Sequence, residues 1–101
     1  MSDGFASFRE FYPYYLGEHR DPTCRRLHFT GTSFALGFIV LAVMQRNAWW
    51  LLAALFCGYG FAWVGHFFFE KNRPATFKHP FYSFAGDWVM FKDILIGKIR
   101  F

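Results

Sequence analysis

The sequence predicts an all-α membrane protein: a two-helix transmembrane hairpin with an N-terminal and a C-terminal interfacial helix. Of its 101 residues, 54% are hydrophobic and 25% aromatic, with sixteen phenylalanines, which is more than a water-soluble domain of this size normally carries. Two long stretches are almost free of charge. Basic residues lie near the outer ends of these stretches and are nearly absent between them, as they do around membrane spans.

The two predicted spans cover about residues 22–44 and 49–70. Asp21 precedes a proline, so its carboxylate can accept from the first backbone N–H groups of a helix whose first position is Pro22. Residues 27–44 then run without a charge, long enough to cross a bilayer with flanking anchors. After a short polar turn the second span follows, and the Asn-Arg-Pro sequence behind it ends the helix because proline cannot donate a hydrogen bond.

The two interfacial helices are predicted at about residues 4–17 and 84–96, within a single domain formed by residues 1–101. The first has aromatic residues at helical spacing, with Pro13 inside the pattern, so one kinked helix and two shorter pieces are both compatible with it. The second has an apolar stripe but is too short and too charged to span. The N-terminus lacks the early apolar core of a cleaved secretory signal.

Charge placement predicts the topology. The basic residues near the outer ends of the spans are Arg20, Arg25, Arg26, Lys71, Arg73 and Lys78, whereas Arg46 alone lies between the spans. The positive-inside rule therefore predicts an integral membrane protein with both termini in the cytoplasm, in the inner membrane of a bacterium or the endoplasmic reticulum of a eukaryote. The net charge of +4 includes no basic run with interleaved aromatics, so no nucleic-acid partner is expected. A chain with two spans is also compatible with a homo-oligomer.

All four histidines are predicted to lie at one side of the membrane. His28 and His66 are seventeen and eighteen residues from the turn, so both stand roughly 26 Å from it at 1.5 Å per residue. His19 and His79 lie just outside the two spans at the same side. Small residues on facing helices (Gly31, Ala35, Gly58 and Ala62) would let the backbones approach closely and bring His28 and His66 to one ion. The pattern indicates a membrane-embedded metal site on the cytoplasmic side.

Glu70 follows His66 by one helical turn, in a row of small residues spaced by four. It is a candidate metal ligand, a partner that orients an imidazole, or a surface charge paired with Arg73, and the second role is favoured. Asp21 is interpreted as a helix cap. Imidazole donors with little sulfur suit zinc, iron, copper or nickel, and the residues alone do not separate these metals.

Several motifs together resemble the 2-hydroxy fatty acid dioxygenases, small membrane proteins known from fungal phytosphingosine breakdown. The motifs are His19-Arg20-Asp21-Pro22, Arg26-Leu27-His28-Phe29-Thr30-Gly31-Thr32, Gly58-Tyr59-Gly60, Trp63-Val64-Gly65-His66, Glu70-Lys71-Asn72-Arg73-Pro74-Ala75 and His79-Pro80. The resemblance implies an Fe(II)-dependent dioxygenase that uses O₂ to shorten a long-chain 2-hydroxy fatty acid by one carbon. It places His19, His28, His66 and His79 in the ligand positions. The fungal enzymes are longer and have more hydrophobic segments.

Under that resemblance, the catalytic candidates besides the histidines are Glu70, Arg25, Arg26 and Arg73. An arginine would neutralise the substrate carboxylate by bidentate pairing, although topology and headgroup contact explain the arginines equally well. The acyl chain would run into membrane lipid past Phe29 or the aromatic residues at 67–69.

Two other classes of function stay open at the level of sequence. A haem-binding membrane protein would use His28 and His66 as axial ligands and would absorb in the Soret region. A non-catalytic membrane adaptor or transporter subunit would tolerate replacement of its histidines by alanine.

Overall fold

A computed structural model describes residues 5–101, and these form four α-helices and no strand. The helices are α1 (Phe8–Gly17), α2 (Pro22–Met44), α3 (Trp50–Val64) and α4 (Pro80–Leu95). A six-residue π-helical segment, Gly65–Glu70, continues α3 directly, and a short 3₁₀ turn, Ala75–Phe77, precedes α4. The prediction of an all-α fold is confirmed.

The long helices form an antiparallel hairpin whose outer surface is apolar. Pro22–Met44 and Trp50–Glu70 are both long and apolar enough to cross a membrane, and only 28% and 22% of their most apolar windows are buried within the protein. A core helix of a soluble protein would instead be mostly buried. Large side chains point outward, with Phe56 78% exposed and Met44 75% exposed. Such surfaces are stable in lipid, so the fold is that of an all-α membrane protein.

Two glycines set how closely α2 approaches the second span. A Cβ atom at Gly31 would lie 2.8 Å from the carbonyl oxygen of Cys57, a distance that real Cβ contacts do not show. A Cβ atom at Gly65 would lie 3.0 Å from Sγ of Cys24. The first turn of α2 is capped as predicted, since the Asp21 carboxylate accepts from the N–H groups of Thr23 and Cys24. These contacts bring the two backbones together on the histidine side of the hairpin.

The short helices α1 and α4 pack together over the end of the hairpin opposite the turn. α1 runs through Pro13 as one helix, which decides between the two alternatives above. It begins at Phe8 behind a Ser7 cap rather than at residue 4, which lies outside the described residues. α4 begins at Pro80, four residues before the predicted start. The buried core shared by this layer consists of Phe11, Tyr15, Ala75, Met90 and Ile94.

Candidate metal centre

Three of the four histidines converge in the interior at the end of the hairpin that carries α1 and α4. His19 follows α1, His28 lies near the start of α2, and His66 belongs to the π-helical segment. Nε2 of His19 lies 3.1 Å from Nε2 of His28 and 2.9 Å from Nε2 of His66. The three side chains are only 1%, 5% and 1% exposed. Segments distant in sequence therefore deliver three imidazole nitrogens to one point.

The second nitrogen of each ring faces an acceptor on the protein. Nδ1 of His19 lies 2.7 Å from the carbonyl oxygen of Tyr15, and Nδ1 of His66 lies 2.7 Å from Oδ1 of Asn72. Nδ1 of His28 lies 3.6 Å from a carboxylate oxygen of Asp87. Because carbonyl, amide and carboxylate oxygens accept hydrogen bonds, the protons belong on the Nδ1 atoms. The Nε2 lone pairs then face each other, an arrangement that a cation between them would stabilise.

The distances fit a transition metal. Imidazole nitrogen binds such ions at about 2.0–2.1 Å, as zinc sites illustrate, so two nitrogens 2.9–3.1 Å apart subtend roughly 90° at the ion. Such angles are those of neighbouring positions in octahedral coordination, which leaves sites open for other ligands. All three ligand atoms lie within 4.8 Å of one another, and the group could hold a metal ion. Oriented Nδ1 partners of this kind are typical of metal-binding histidines.

Burial adjusts the protonation of the groups around the centre. It lowers the pKa of His19 to about 3, with a further contribution from nearby His66, so the ring stays neutral and able to bind a metal. Burial raises the pKa of Asp87 to about 7, although the hydrogen bond from the Tyr15 hydroxyl opposes this rise. Burial and then the Asp87 charge raise the pKa of Tyr15 well above its usual value. Tyr15 thus keeps the proton that it donates to Asp87.

A local irregularity in the second span positions His66 and its partner. The helix loosens into π geometry at Gly65–Glu70 and ends where Lys71 adopts a left-handed conformation, with φ of 62°. The chain folds back at that point, and the N–H of Asn72 donates to the carbonyl oxygen of His66 at 3.0 Å. The Asn72 side chain therefore reaches the His66 ring, and its amide nitrogen donates to the carbonyl and carboxylate of Glu18 at 3.2 Å. π-helical turns of this kind recur at functional sites.

The fourth histidine lies in a different environment. The ring of His79 packs among aromatic side chains, with ring centroids 5.2 Å from Phe5, 5.4 Å from Phe11 and 5.8 Å from Tyr14. His79 is 6% exposed and occupies the position before the first residue of α4, without a capping hydrogen bond from its side chain. The structure does not bring it into the group of three. Its role as a metal ligand stays a prediction.

The charged candidates lie around the centre rather than in it. The Glu70 carboxylate accepts a hydrogen bond from the N–H of Asp21, so it joins the end of the second span to the start of α2. The Arg25 guanidinium donates to the carbonyl oxygens of His19 and Arg20 at 3.1 and 2.8 Å. Nε of Arg26 donates to the carbonyl oxygen of residue 101 at 3.2 Å. Arg73 is exposed.

Sequence reasoning missed three residues that support the histidines: Asn72, Asp87 and Tyr15. Asp87 had a detectable signal, because Phe84 and Phe91 lie three and four residues to either side of it, which places a carboxylate on the apolar face of α4. Asn72 was interpreted only as part of a helix stop. Nothing in the spacing of Tyr15 distinguishes it from the other aromatic residues of α1.

A cavity of about 310 Å³ reaches the metal centre from between the long helices. Its lining residues are His28, Thr32, Ala35, Ile39, Leu51, Ala54, Leu55, Gly58, Tyr59, Phe84, Asp87 and Trp88. Neither arginine nor lysine occurs among them.

The family model described as "2-hydroxy-palmitic acid dioxygenase Mpo1-like" matches residues 5–99. No curated protein and no solved structure matches the chain significantly.

Proposed function

The chain belongs to the 2-hydroxy-palmitic acid dioxygenase Mpo1-like family, and from that premise we propose that it is an Fe(II)-dependent dioxygenase of long-chain 2-hydroxy fatty acids. The observation that carries the proposal is the convergence of the Nε2 atoms of His19, His28 and His66. Neutral imidazoles suit Fe(II), whereas zinc, which has no redox chemistry, does not suit a reaction with O₂.

The proposed reaction balances with O₂ as the sole oxidant. A 2-hydroxy acid, R–CH(OH)–COOH, and one O₂ give the acid R–COOH, one carbon shorter, with carbon dioxide and water. The bond between C1 and C2 breaks, and C2 is oxidised from an alcohol to a carboxyl group while O₂ is reduced. Bound Fe(II) would supply the Lewis acid that receives the 2-hydroxyl and carboxylate of the substrate and reacts with O₂.

The protein's own groups orient the donors and shape the site. Hydrogen bonds to the Tyr15 carbonyl and the Asn72 amide hold the protons on Nδ1 of His19 and His66. The Asp87 carboxylate, 3.6 Å from Nδ1 of His28, favours a proton on that nitrogen electrostatically, so each Nε2 is left free to bind. Tyr15 in turn fixes Asp87 through its hydroxyl. Burial of all three imidazoles excludes bulk water from the centre. Neither arginine nor lysine is among the described residues that line the cavity, so the substrate carboxylate would be neutralised chiefly by the metal.

Axial haem ligation fits this geometry poorly. Nε2 of His19 lies 3.1 Å from that of His28 and 2.9 Å from that of His66, and all three lie within 4.8 Å of one another, so a third imidazole crowds any haem that His28 and His66 would hold between them. A site for a bare ion therefore has more support than a site for haem.

We also propose that the centre lies at the cytoplasmic interface, with both termini on that side. The distribution of basic residues supports this orientation. In that position the polar head of a fatty acid meets the metal while its tail remains in lipid. Labelling of single cysteines introduced at Ala48 and Ser7 with a membrane-impermeant maleimide, in a background lacking Cys24 and Cys57, tests it: only the residue-48 site should react from outside the cell.

The function is tested by anaerobic purification in detergent, reconstitution with Fe(II), and incubation with 2-hydroxyhexadecanoic acid and O₂. We expect about one iron per chain and formation of pentadecanoic acid, measured by mass spectrometry. His28→Ala and His66→Ala should lose both the iron and the product. A protein that forms no shortened acid from any 2-hydroxy acid, despite binding iron, would refute the enzymatic proposal.

His79→Ala distinguishes three ligands from four. Because the ring of His79 packs among aromatic residues, this variant is expected to retain most of its iron. Loss of iron as complete as in His66→Ala would instead establish a four-histidine site. A non-catalytic adaptor would bind its partners regardless of any of these substitutions.

A further inference from the structure

The cavity between the long helices has polar groups at one end only. His28, Thr32, Tyr59 and Asp87 line the part next to the metal centre. Toward the turn the lining consists of small and aliphatic side chains: Ala35, Ile39, Leu51, Ala54 and Leu55. A ligand that fits this lining has a polar head and an unbranched apolar tail.

The dimensions of the cavity match a single acyl chain. His28 and Ile39 are eleven residues apart on α2, so the cavity extends about 16 Å along the helix axis. A residue of extended backbone has three bonds and spans about 3.6 Å, so an extended chain advances roughly 1.2 Å per bond. A cavity of this depth therefore accommodates roughly 13 bonds of an acyl chain. A volume of about 310 Å³ lies at the small end of the range for ligand pockets, too small for a two-tailed lipid.

We propose that the acyl chain of the substrate lies in this cavity between α2 and α3, and that Ala35 and Ala54 determine the chain length accepted. This inference rests on the proposed function and identifies where its substrate binds. It differs from the path past Phe29 and residues 67–69 expected from sequence. Phe29 stacks on Phe91 with ring centroids 4.9 Å apart, and the aromatic side chains at 67–69 are exposed on the outside.

The small size of Ala35 and Ala54 keeps the cavity open. Each is 7% exposed and faces the lining from opposite helices. A Cβ atom at Gly58 would lie 3.9 Å from Cβ of Ala35, so the two helices are in ordinary contact beside the cavity. A leucine at either alanine would place its branched end in the space that the tail needs.

A second apolar groove on the outer face of α3 is the competing location. It is lined by Leu52, Leu55, Phe56, Tyr59, Gly60, Trp63 and Thr76. None of the three converging histidines and no carboxylate is among these residues, so a chain bound there would have no polar group of the metal centre beside it.

The test compares leucine substitutions inside and outside the cavity. Ala35→Leu and Ala54→Leu are paired with Gly37→Leu on α2 and Gly60→Leu on α3, at positions with no atom within 4 Å of an added Cβ. The measurement is the ratio of kcat/KM for 2-hydroxyhexadecanoic acid to that for 2-hydroxyoctanoic acid. We expect both alanine variants to lower this ratio about tenfold or more, since single methylenes in a hydrophobic pocket alter discrimination by such factors. Gly37→Leu should preserve it.

Two results would overturn the proposal. An unchanged ratio in Ala35→Leu and Ala54→Leu, with iron content and folding intact, would exclude the cavity as the chain site. A lower ratio in Gly60→Leu alone would move the chain to the outer groove.

Photolabelling separates this inference from the proposed reaction. 2-Hydroxyhexadecanoic acid carrying a diazirine near its methyl end is irradiated with iron-free protein in detergent, and the labelled residues are identified by mass spectrometry. Labels at Ile39 or Leu51, weakened by Ala54→Leu, support the cavity even if no turnover is found. Labels confined to Phe56 and Trp63 refute it even if the enzyme is active.

Discussion

The two ends of the hairpin differ in how far their side chains are exposed. At the turn, Val43, Met44 and Trp49 are 73%, 75% and 76% exposed, and only α2 and α3 are present. At the other end, His19 and His66 are each 1% exposed beneath α1 and α4. Lipid can solvate the apolar end without further protein, whereas buried imidazoles are stable only when each polar atom has a partner. The helices α1 and α4 therefore enclose the polar groups of the metal centre.

The largest expected difference in stability comes from replacing two glycines of α2 by alanine, one at each end of the comparison. Gly31→Ala forces a Cβ against the Cys57 backbone and should destabilise the protein by about 1–3 kcal/mol and reduce iron binding. Gly37→Ala, in open space nearer the turn, should stabilise by up to about 1 kcal/mol through helix propensity. Thermal unfolding in detergent and iron content measure both. Shifts of the same sign would show that close packing is not confined to the histidine end.

The next effect contrasts two asparagines. Asn72→Ala removes the acceptor for Nδ1 of His66 and should weaken iron binding by about 10–100-fold. Asn47→Ala removes a side-chain hydrogen bond to the N–H of Trp49 at the turn and should leave the iron affinity unchanged. Competition with a chelator gives both affinities. Equal affinities for Asn72→Ala and the wild type would mean that the ring of His66 is oriented by packing alone.

A smaller effect concerns the layer over the histidine end and depends on pH. Burial acts to raise the pKa of Asp93, but the hydrogen bond from Tyr12 at 2.8 Å and the ion pair with Lys92 at 3.0 Å lower it below its usual value. The folded state therefore gains stability from this carboxylate above about pH 4, the ordinary range, and loses it as the pH falls through the lowered pKa.

Asp93→Asn should remove this pH-dependent contribution. Thermal unfolding of iron-free protein should show wild type more stable than the variant at pH 7, with the difference shrinking toward pH 3. A difference that does not change with pH would show that the charge of Asp93 contributes nothing.

The smallest effects are expected at the two non-glycine residues that have positive φ within residues 5–101, one at each end of the hairpin. Arg46 at the turn has φ of 51°, and Lys71 after the π-helical segment has φ of 62°. Glycine removes the strain of this conformation but adds freedom to the unfolded chain, so Arg46→Gly and Lys71→Gly should each stabilise by about 1 kcal/mol or less. Thermal unfolding measures both effects. Destabilisation by either variant would show that the contacts of the replaced side chain stabilise the fold by more than the backbone strain costs.

Sequence reasoning succeeded where one periodic pattern determined the structure. Charge-free length predicted both long apolar helices, and the distances of His28 and His66 from the turn placed them level with each other. The helical interfacial segments followed from apolar spacing, although the ends of 4–17 and 84–96 differed from Phe8–Gly17 and Pro80–Leu95 by up to four residues. These predictions needed only local geometry.

The contacts that support the histidines of the metal centre could not be predicted from local periodicity. An uninterrupted α-helix was assumed through Glu70, but the π-helical segment changes the register after Gly65, and the Glu70 carboxylate reaches the Asp21 N–H instead of an imidazole. Asn72 reaches His66 only because Lys71 adopts a left-handed conformation. Lysine rarely adopts this conformation, so the sequence did not predict it. Asp87 meets His28 through the docking of α4, a contact between distant segments that no periodicity specifies.

His19 precedes α2, whereas the other two converging histidines lie on the hairpin itself. A newly inserted hairpin would carry His28 and His66 before the N-terminal helix docks. Docking of that helix would then bring His19 to the metal as the third ligand. Metal loading and burial of the N-terminal segment would then be a single event.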